Sequence, residues 1–388
     1  MRFDLSPEDR LCLILARGQL PPPACEEARA LLARPLQWDR VLEQARANEV
    51  YPMLYRNLRY LGFAGVPASV RAKLEALFRM NALRNTLLAD ELTLLLGALS
   101  EAGIPVIPLK GLFLAESLYG DLTLRVCVDM DLLVPRRNMT QALDLLVARG
   151  YQAEFSRWFL TDRGMQNSFE CAVRKRERTL DYRVELHWGL FWESSWEEGS
   201  IKDLWGAAHE TIFRGVPVSD LSPEWQVVFL LVHAARHHWQ SLKWLVDIHE
   251  LCLRGGIGWE TVETQMRELG WEPFLRWGLS VSHVLLETPL PPGFVVEMPP
   301  SSIRLFPAPP RFPAPLQDLL LFLRLAKQPS EKVLFLLRRL LLPTPGDSQL
   351  CRLPTSLGFL YYLVRPLRMG YLLCSSLWGA GFRGKDSP

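Results

Sequence analysis

Two carboxylates in VDMDLLV, Asp129 and Asp131, are the residues best placed to do chemistry. If this stretch is a strand, residues two apart share a face, so both acids point the same way. Acids set among apolar residues cost free energy unless something compensates them. A divalent cation compensates well, because Mg²⁺ takes oxygen ligands and bridges carboxylates to phosphates.

The residues just upstream fit that chemistry. An apolar run, 104–109, ends at Lys110-Gly111, and a helical pattern follows over 112–119. A strand that meets a helix N-terminus offers backbone N–H groups and the positive end of the helix dipole to a phosphate. Gly111 allows close backbone approach. Lys110 adds a point charge there, or is a plain solvated lysine. Arg125 reads as a phosphate contact or as the partner of an acid. Further on, LDYRVELHW alternates. Asp181, Arg183, Glu185 and His187 fall on one face, and Leu180, Tyr182, Val184, Leu186 and Trp188 on the other.

These strings together resemble a known family. LKG, a helix ending in Leu118-Tyr119-Gly120, Arg125 and VDMDLLV are similar to the uncharacterised nucleotidyltransferase family of the DNA polymerase β-like superfamily. The resemblance continues through ARGYQ (148–152), VELHW (184–188), the helical stretch 230–248 and, more weakly, YYLVRPLR (361–368). It implies an α+β fold: a small mixed sheet with helices, embedded between helical regions. It also implies a glycine turn ahead of a strand with two metal-binding acids, and a third acid from a later strand. The third acid is Glu185, with Asp181 in reserve. Catalytic and metal-binding roles then go to Asp129, Asp131 and Glu185, and nucleotide contacts to Lys110, Gly111, Arg125 and His187. The expected activity is transfer of an NMP, AMP by default, from an NTP with one or two Mg²⁺ to an acceptor hydroxyl or phosphate. A small-molecule acceptor is favoured over a polymer. The chain departs from the superfamily in having Lys110-Gly111 where Gly-Ser or Gly-Gly is usual, and in the long gap to Asp129.

Other readings stay open. The same site would serve a protein-modifying adenylyltransferase or toxin, or a nucleotide-binding protein without turnover. His233 and His237 share a helical face, which is compatible with zinc and a hydrolase. The glutamate of H-E-x-x-H is absent, and a structural role is favoured for both. Trp244 and Asp247 suit base stacking and a hydroxyl contact, or simply the core.

The elements that must position these residues follow from the periodicity. Residues 1–102 read as helical, ending in a long helix from about 68. Residues 103–190 carry the α/β catalytic core, with strands expected at 104–109, 128–134, 151–159, 168–174 and 179–188. Helices return over 191–288, 289–315 is a Pro-rich linker, and 316–388 is helical again.

The chain has 388 residues, 49% of them hydrophobic and 22% charged, with a net charge of +2. Disorder is excluded, and no nucleic-acid motif appears. The seven cysteines are scattered without a C-x-x-C pair, and the N-terminus has no signal-like apolar core. Both point to a cytoplasmic protein. Residues 357–382 come nearest to a membrane segment, but Arg365, Pro366 and Arg368 interrupt them. Packing is favoured there, with peripheral membrane contact the other reading.

Overall fold

A computed structural model describes residues 5–177, 180–190, 202–299 and 328–382, with 319–321 and 323. The end of the Pro-rich stretch and the first dozen residues of the stretch expected to be helical from 316 lie largely outside the described residues. The chain forms two compact units. The first comprises Met1–Ser100, Ile107–Asp131 and Leu204–Arg311, and the second Glu101–Val106, Leu132–Asp203 and Phe312–Pro388.

The first unit opens with four helices: α1 (Pro7–Leu15), α2 (Pro22–Leu32), α3 (Trp38–Ala47) and α4 (Tyr51–Tyr60). Ser6 caps α1 by accepting from the Asp9 N–H, and Pro7 sits where no N–H is needed. The long α5 (Ala68–Glu101) follows and buries Leu74, Leu88, Leu92, Leu95, Leu96 and Leu99. Strand β1 (Ile107–Pro108) leads into α6 (Leu112–Tyr119), which Gly120 ends in the left-handed conformation.

Later in this unit, helices α9 (Pro223–Arg236), α10 (Leu242–Arg254), α11 (Trp259–Glu268) and α12 (Glu272–Leu286) pack around buried Trp225, Trp239 and Trp271. The short helix α8 (Lys202–Ala207) precedes a ribbon inside the stretch expected to be helical. It pairs β6 (His209–Phe213) with β7 (Val216–Asp220). Arg214 and Gly215 both have positive φ, 46° and 85°, as a tight hairpin turn requires.

The second unit holds α7 (Met139–Ala148), β3 (Gln152–Ala153), β4 (Glu170–Glu177) and β5 (Leu180–His187). Strands β4 and β5 pair antiparallel, Ala172 opposite Glu185 and Glu170 opposite His187. The alternation seen in the sequence holds: Val184 and Leu186 are buried on the apolar face. Strand β4 runs through Glu177, three residues beyond the expected 168–174. The expected strand 151–159 shrinks to β3, and Arg157–Leu160 forms a 3₁₀ turn instead. There Trp158 and Phe159 pack on Tyr361.

Helices α13 (Pro329–Leu341) and α14 (Tyr361–Phe382) end the described chain. Asp347, fully buried between them in sequence, accepts from the Thr344 N–H and pairs with Arg365 at 3.3 Å and Arg368 at 3.0 Å. Arg365 also donates to the Arg339 carbonyl near the end of α13.

Strand β2 (Met130–Leu133) begins in the first unit and ends in the second. The five-stranded sheet runs β1-β2-β5-β4-β3. In the first unit Leu109 N–H donates to the Asp131 carbonyl; in the second, Val134 N–H donates to the His187 carbonyl. The α+β class expected from the sequence is the one observed. No described helix is long and apolar enough to cross a membrane.

Candidate active site

The turn leading into the acid strand is held by buried amides. Asn81 and Asn85 lie one helical turn apart on α5, both essentially inaccessible. Asn85 Nδ2 donates to the carbonyls of Leu122 (2.6 Å) and Arg125 (2.7 Å), and Asn81 Nδ2 to those of Thr123 (2.9 Å) and Arg125 (3.3 Å). Each amide replaces water at a carbonyl that has no strand partner.

Arg125 is fixed by its side chain as well. Its guanidinium grips both oxygens of Asp247, Nε at 3.1 Å and Nη2 at 2.9 Å, and both side chains are buried. Tyr119 Oη donates to the same carboxylate at 2.7 Å. Burial alone would lower the arginine's pKa, but Asp247 overrides it and holds the group well above its ordinary value. Burial, and then Asp247, pushes the Tyr119 hydroxyl well above its own. Of the two readings open for Arg125, the geometry has it paired with an acid.

Lys243 adds a third tie. Its ammonium meets Glu49 at 2.5 Å and the Val126 carbonyl at 3.4 Å. Burial and the nearby Arg125 lower its pKa, against Glu49.

These ties deliver the two acids to one point. Lys110 Nζ lies 2.6 Å from Asp131 Oδ2 and 3.4 Å from Asp129 Oδ1. The Asp131 carboxylate is fully buried, whereas Asp129, just before β2, is one-fifth exposed at 21%. Gly111 next to the lysine has φ 68° and caps α6 at its N-terminus. A Cβ there would meet the Asp129 carbonyl at 3.4 Å, in a backbone conformation that side chains rarely adopt. The glycine thus lets the turn after β1 lie close against the acid strand.

On β5, Glu185 takes an ion pair from Arg183 at 2.8 Å. His187 sits between Glu170, 3.5 Å from Nδ1, and Glu185, 3.9 Å from Nε2. Glu185 and His187 belong to the second unit, and Asp131 to the first. Asp181 is half exposed near the far end of β5 and pairs with Arg174 at 3.5 Å.

The helical histidines are packed as rings. His237 stacks on Trp244 with centroids 4.5 Å apart, and His233 meets the same indole edge-on at 5.6 Å. Burial, with Lys110 and His237 next, holds the His233 pKa well below its ordinary value. Among the described residues, neither histidine joins a cluster of metal-ligand type.

Sequence reading missed Asn81, Asn85, Glu170 and Lys243. Asn at i and i+4 inside a Leu-rich helical pattern was a readable signal, since buried amides need partners.

A family model described as uncharacterised nucleotidyltransferase matches residues 34–287, about two-thirds of the chain. No curated protein matches. Three solved structures are similar in part. One is the solution structure of the antibiotic-resistance factor ANT(2″)-Ia, at 17% identity over 47% of this chain and 91% of that one, TM-score 0.34. Another is the crystal structure of ANT(2″)-Ia with adenylyl-2″-tobramycin, at 17% identity over 47% and 95%, TM-score 0.33. The third is an antigenic nucleotidyltransferase-like protein from Paracoccidioides brasiliensis, at 18% identity over 52% and 93%, TM-score 0.33.

Proposed function

Because the chain belongs to the uncharacterised nucleotidyltransferase family, whose chemistry is transfer of a nucleoside monophosphate from a nucleoside triphosphate, we propose that it does so with Mg²⁺. The donor is ATP, and the acceptor is a hydroxyl or phosphate of a small molecule. The observation that carries this reading is the meeting of Asp129 and Asp131 on one cationic centre, the Lys110 ammonium. Two carboxylates that share a single cation are already arranged to share a metal.

The donor set fits Mg²⁺. Asp129, Asp131 and Glu185 are hard anionic oxygen ligands. His187, whose nitrogen suits Mg²⁺ less well, orients Glu185 and Glu170 instead. Once bound, Mg²⁺ would supply charge neutralisation of the triphosphate and Lewis-acid activation at phosphorus. The protein's own contribution is positioning and charge. The N-terminus of α6 and Gly111 receive phosphate oxygens through backbone N–H groups. Lys110 turns its charge from the carboxylates to the triphosphate. A carboxylate of the set accepts the proton of the attacking hydroxyl. Arg125, committed to Asp247, keeps the acid strand in place without touching nucleotide. The small acceptor is supported by a near-neutral chain without a nucleic-acid motif. The buried thiols of Cys12, Cys25, Cys127, Cys171 and Cys252 support a reducing, cytoplasmic setting.

Isothermal titration with non-hydrolysable ATP, GTP, CTP and UTP analogues, with and without Mg²⁺, tests the proposal. Mg²⁺-dependent binding, strongest for the ATP analogue and lost in D129A/D131A, is expected. Absence of binding by all four in folded protein would sink it, and preference for another base would correct the donor.

A further inference from the structure

The last two helices invert the usual rule of burial. On α13, Val333, Leu337 and Leu340 are 56%, 49% and 41% exposed, and only Phe335 is buried. Their spacing places them along one stripe of the helix. On α14, Leu363, Leu367 and Tyr371 recur every four residues and are 66%, 74% and 67% exposed. Isolated exposed leucines are ordinary, but two apolar stripes on consecutive helices are not. Arg365 ties these helices together through the Arg339 carbonyl and Asp347, so both stripes belong to one braced element.

Charge identifies what covers them. Between residues 329 and 382 the charged side chains are Lys332, Arg338, Arg339, Arg352, Arg365 and Arg368 against two acids, Glu331 and Asp347. Asp347 is buried and already paired with Arg365 and Arg368, and Glu331 sits in the first turn of α13, where it accepts from the Gln328 N–H. The element therefore presents apolar side chains with an excess of positive charge, in a chain whose overall net charge is only +2. Aliphatic stripes gain nothing from a nucleic-acid backbone. They gain from the acyl region of a bilayer, while arginine and lysine gain from anionic headgroups. No described helix crosses a membrane, so the element lies along the surface.

We propose that α13 and α14 form a peripheral docking surface for an anionic lipid bilayer. Leu363, Leu367 and Tyr371 enter the acyl boundary, with Val333, Leu337 and Leu340 beside them. Lys332, Arg338 and Arg339 of α13 face the headgroups, while Arg365 and Arg368 stay with Asp347. This surface is independent of the nucleotide chemistry proposed above.

Vesicle flotation of the full chain tests it. One set of vesicles is phosphatidylcholine alone, and the other contains about one-third phosphatidylglycerol. The expected result is flotation with anionic vesicles only, weakened by salt. L363E/L367E should reduce it roughly tenfold or more, since two charges would replace inserting side chains. V333E/L337E serves as a second variant on α13. All four positions are exposed, so an unchanged melting temperature shows that folding is intact. Failure of the wild type to float with anionic vesicles overturns the proposal. So does equal flotation with neutral vesicles, or unchanged flotation in both folded variants. A dimer that L363E/L367E dissociates, without vesicle affinity in the wild type, would assign the face to a second copy of the chain.

Discussion

Helices α5 and α13 break the same rule in opposite directions. The first buries Asn81 and Asn85 among leucines, and the second exposes leucines to solvent. Neither choice helps its own helix. A buried amide costs free energy unless every polar atom is met, and an exposed leucine forfeits burial worth roughly 1.5–3 kcal/mol. On α5 the reason lies within the protein, because the amides satisfy the carbonyls of the turn before Asp129. On α13 the described residues supply no such reason, so the reason is sought outside. Polar residues inside and apolar residues outside therefore mark where function has overruled packing.

The contrast can be broken experimentally. The largest effect is expected at the point that α5 serves. D131N should cut turnover by on the order of 10²–10³-fold, read as steady-state kcat at saturating NTP at a temperature where the variant is folded. Full activity would dissolve the link between the buried amides and catalysis. Next comes D247A, which leaves the Arg125 guanidinium buried without its carboxylate. About 3–5 kcal/mol of stability should be lost in urea unfolding. A loss under about 1 kcal/mol would mean that the pair is not holding the loop.

His249 extends the inward side of the comparison. Burial, and then Arg17, lowers its pKa to about 4, and Nδ1 lies 3.0 Å from Thr288 Oγ1. The unfolded imidazole binds a proton near pH 6.5 and the folded one does not until about 4. Its contribution is therefore fully present above pH 6.5 and is lost as pH falls toward 4, on the order of 3 kcal/mol in all. Chemical denaturation across that window should show a shallower pH slope for H249Q than for the wild type. An equal slope would remove the histidine from the buried-polar class.

N85A should cost about 1–3 kcal/mol, because the Leu122 carbonyl loses its donor and the Arg125 carbonyl keeps only the longer bond from Asn81. The smallest effect is expected on the outward side. L367Q should shift stability within about 0.5 kcal/mol, as surface changes do. If N85A and L367Q cost the same in thermal unfolding, the contrast between the two helices is empty.

The sequence made the inward half partly legible. Periodicity alone located α5, and alternation in LDYRVELHW put Val184 and Leu186 on a buried face, although His187 on the other face is buried too. The D-x-D spacing brought Asp129 and Asp131 to a common cation. What stayed hidden depends on partners far away in the chain. The choice between phosphate and acid for Arg125 needed Asp247, 122 residues later. Glu170 entered only once the β4–β5 register placed it opposite His187. The β6–β7 ribbon was hidden for a local reason: its strands are short, and the turn at Arg214-Gly215 resembles any loop. The exposed stripes of α13 and α14 were visible only as an apolar, basic composition. Nothing in a periodicity says which side of a helix is covered.

Asp347 has a consequence for the newborn chain. The first of its arginine partners, Arg365, lies 18 residues downstream. At ordinary elongation speeds the ribosome needs about 1–4 s to add that stretch. During that interval the carboxylate has neither arginine and must stay hydrated, so the C-terminal element cannot close. A message truncated before codon 365 would release a product permanently in that open state. Such a product should be recognised by proteases and chaperones however well the preceding helices have folded.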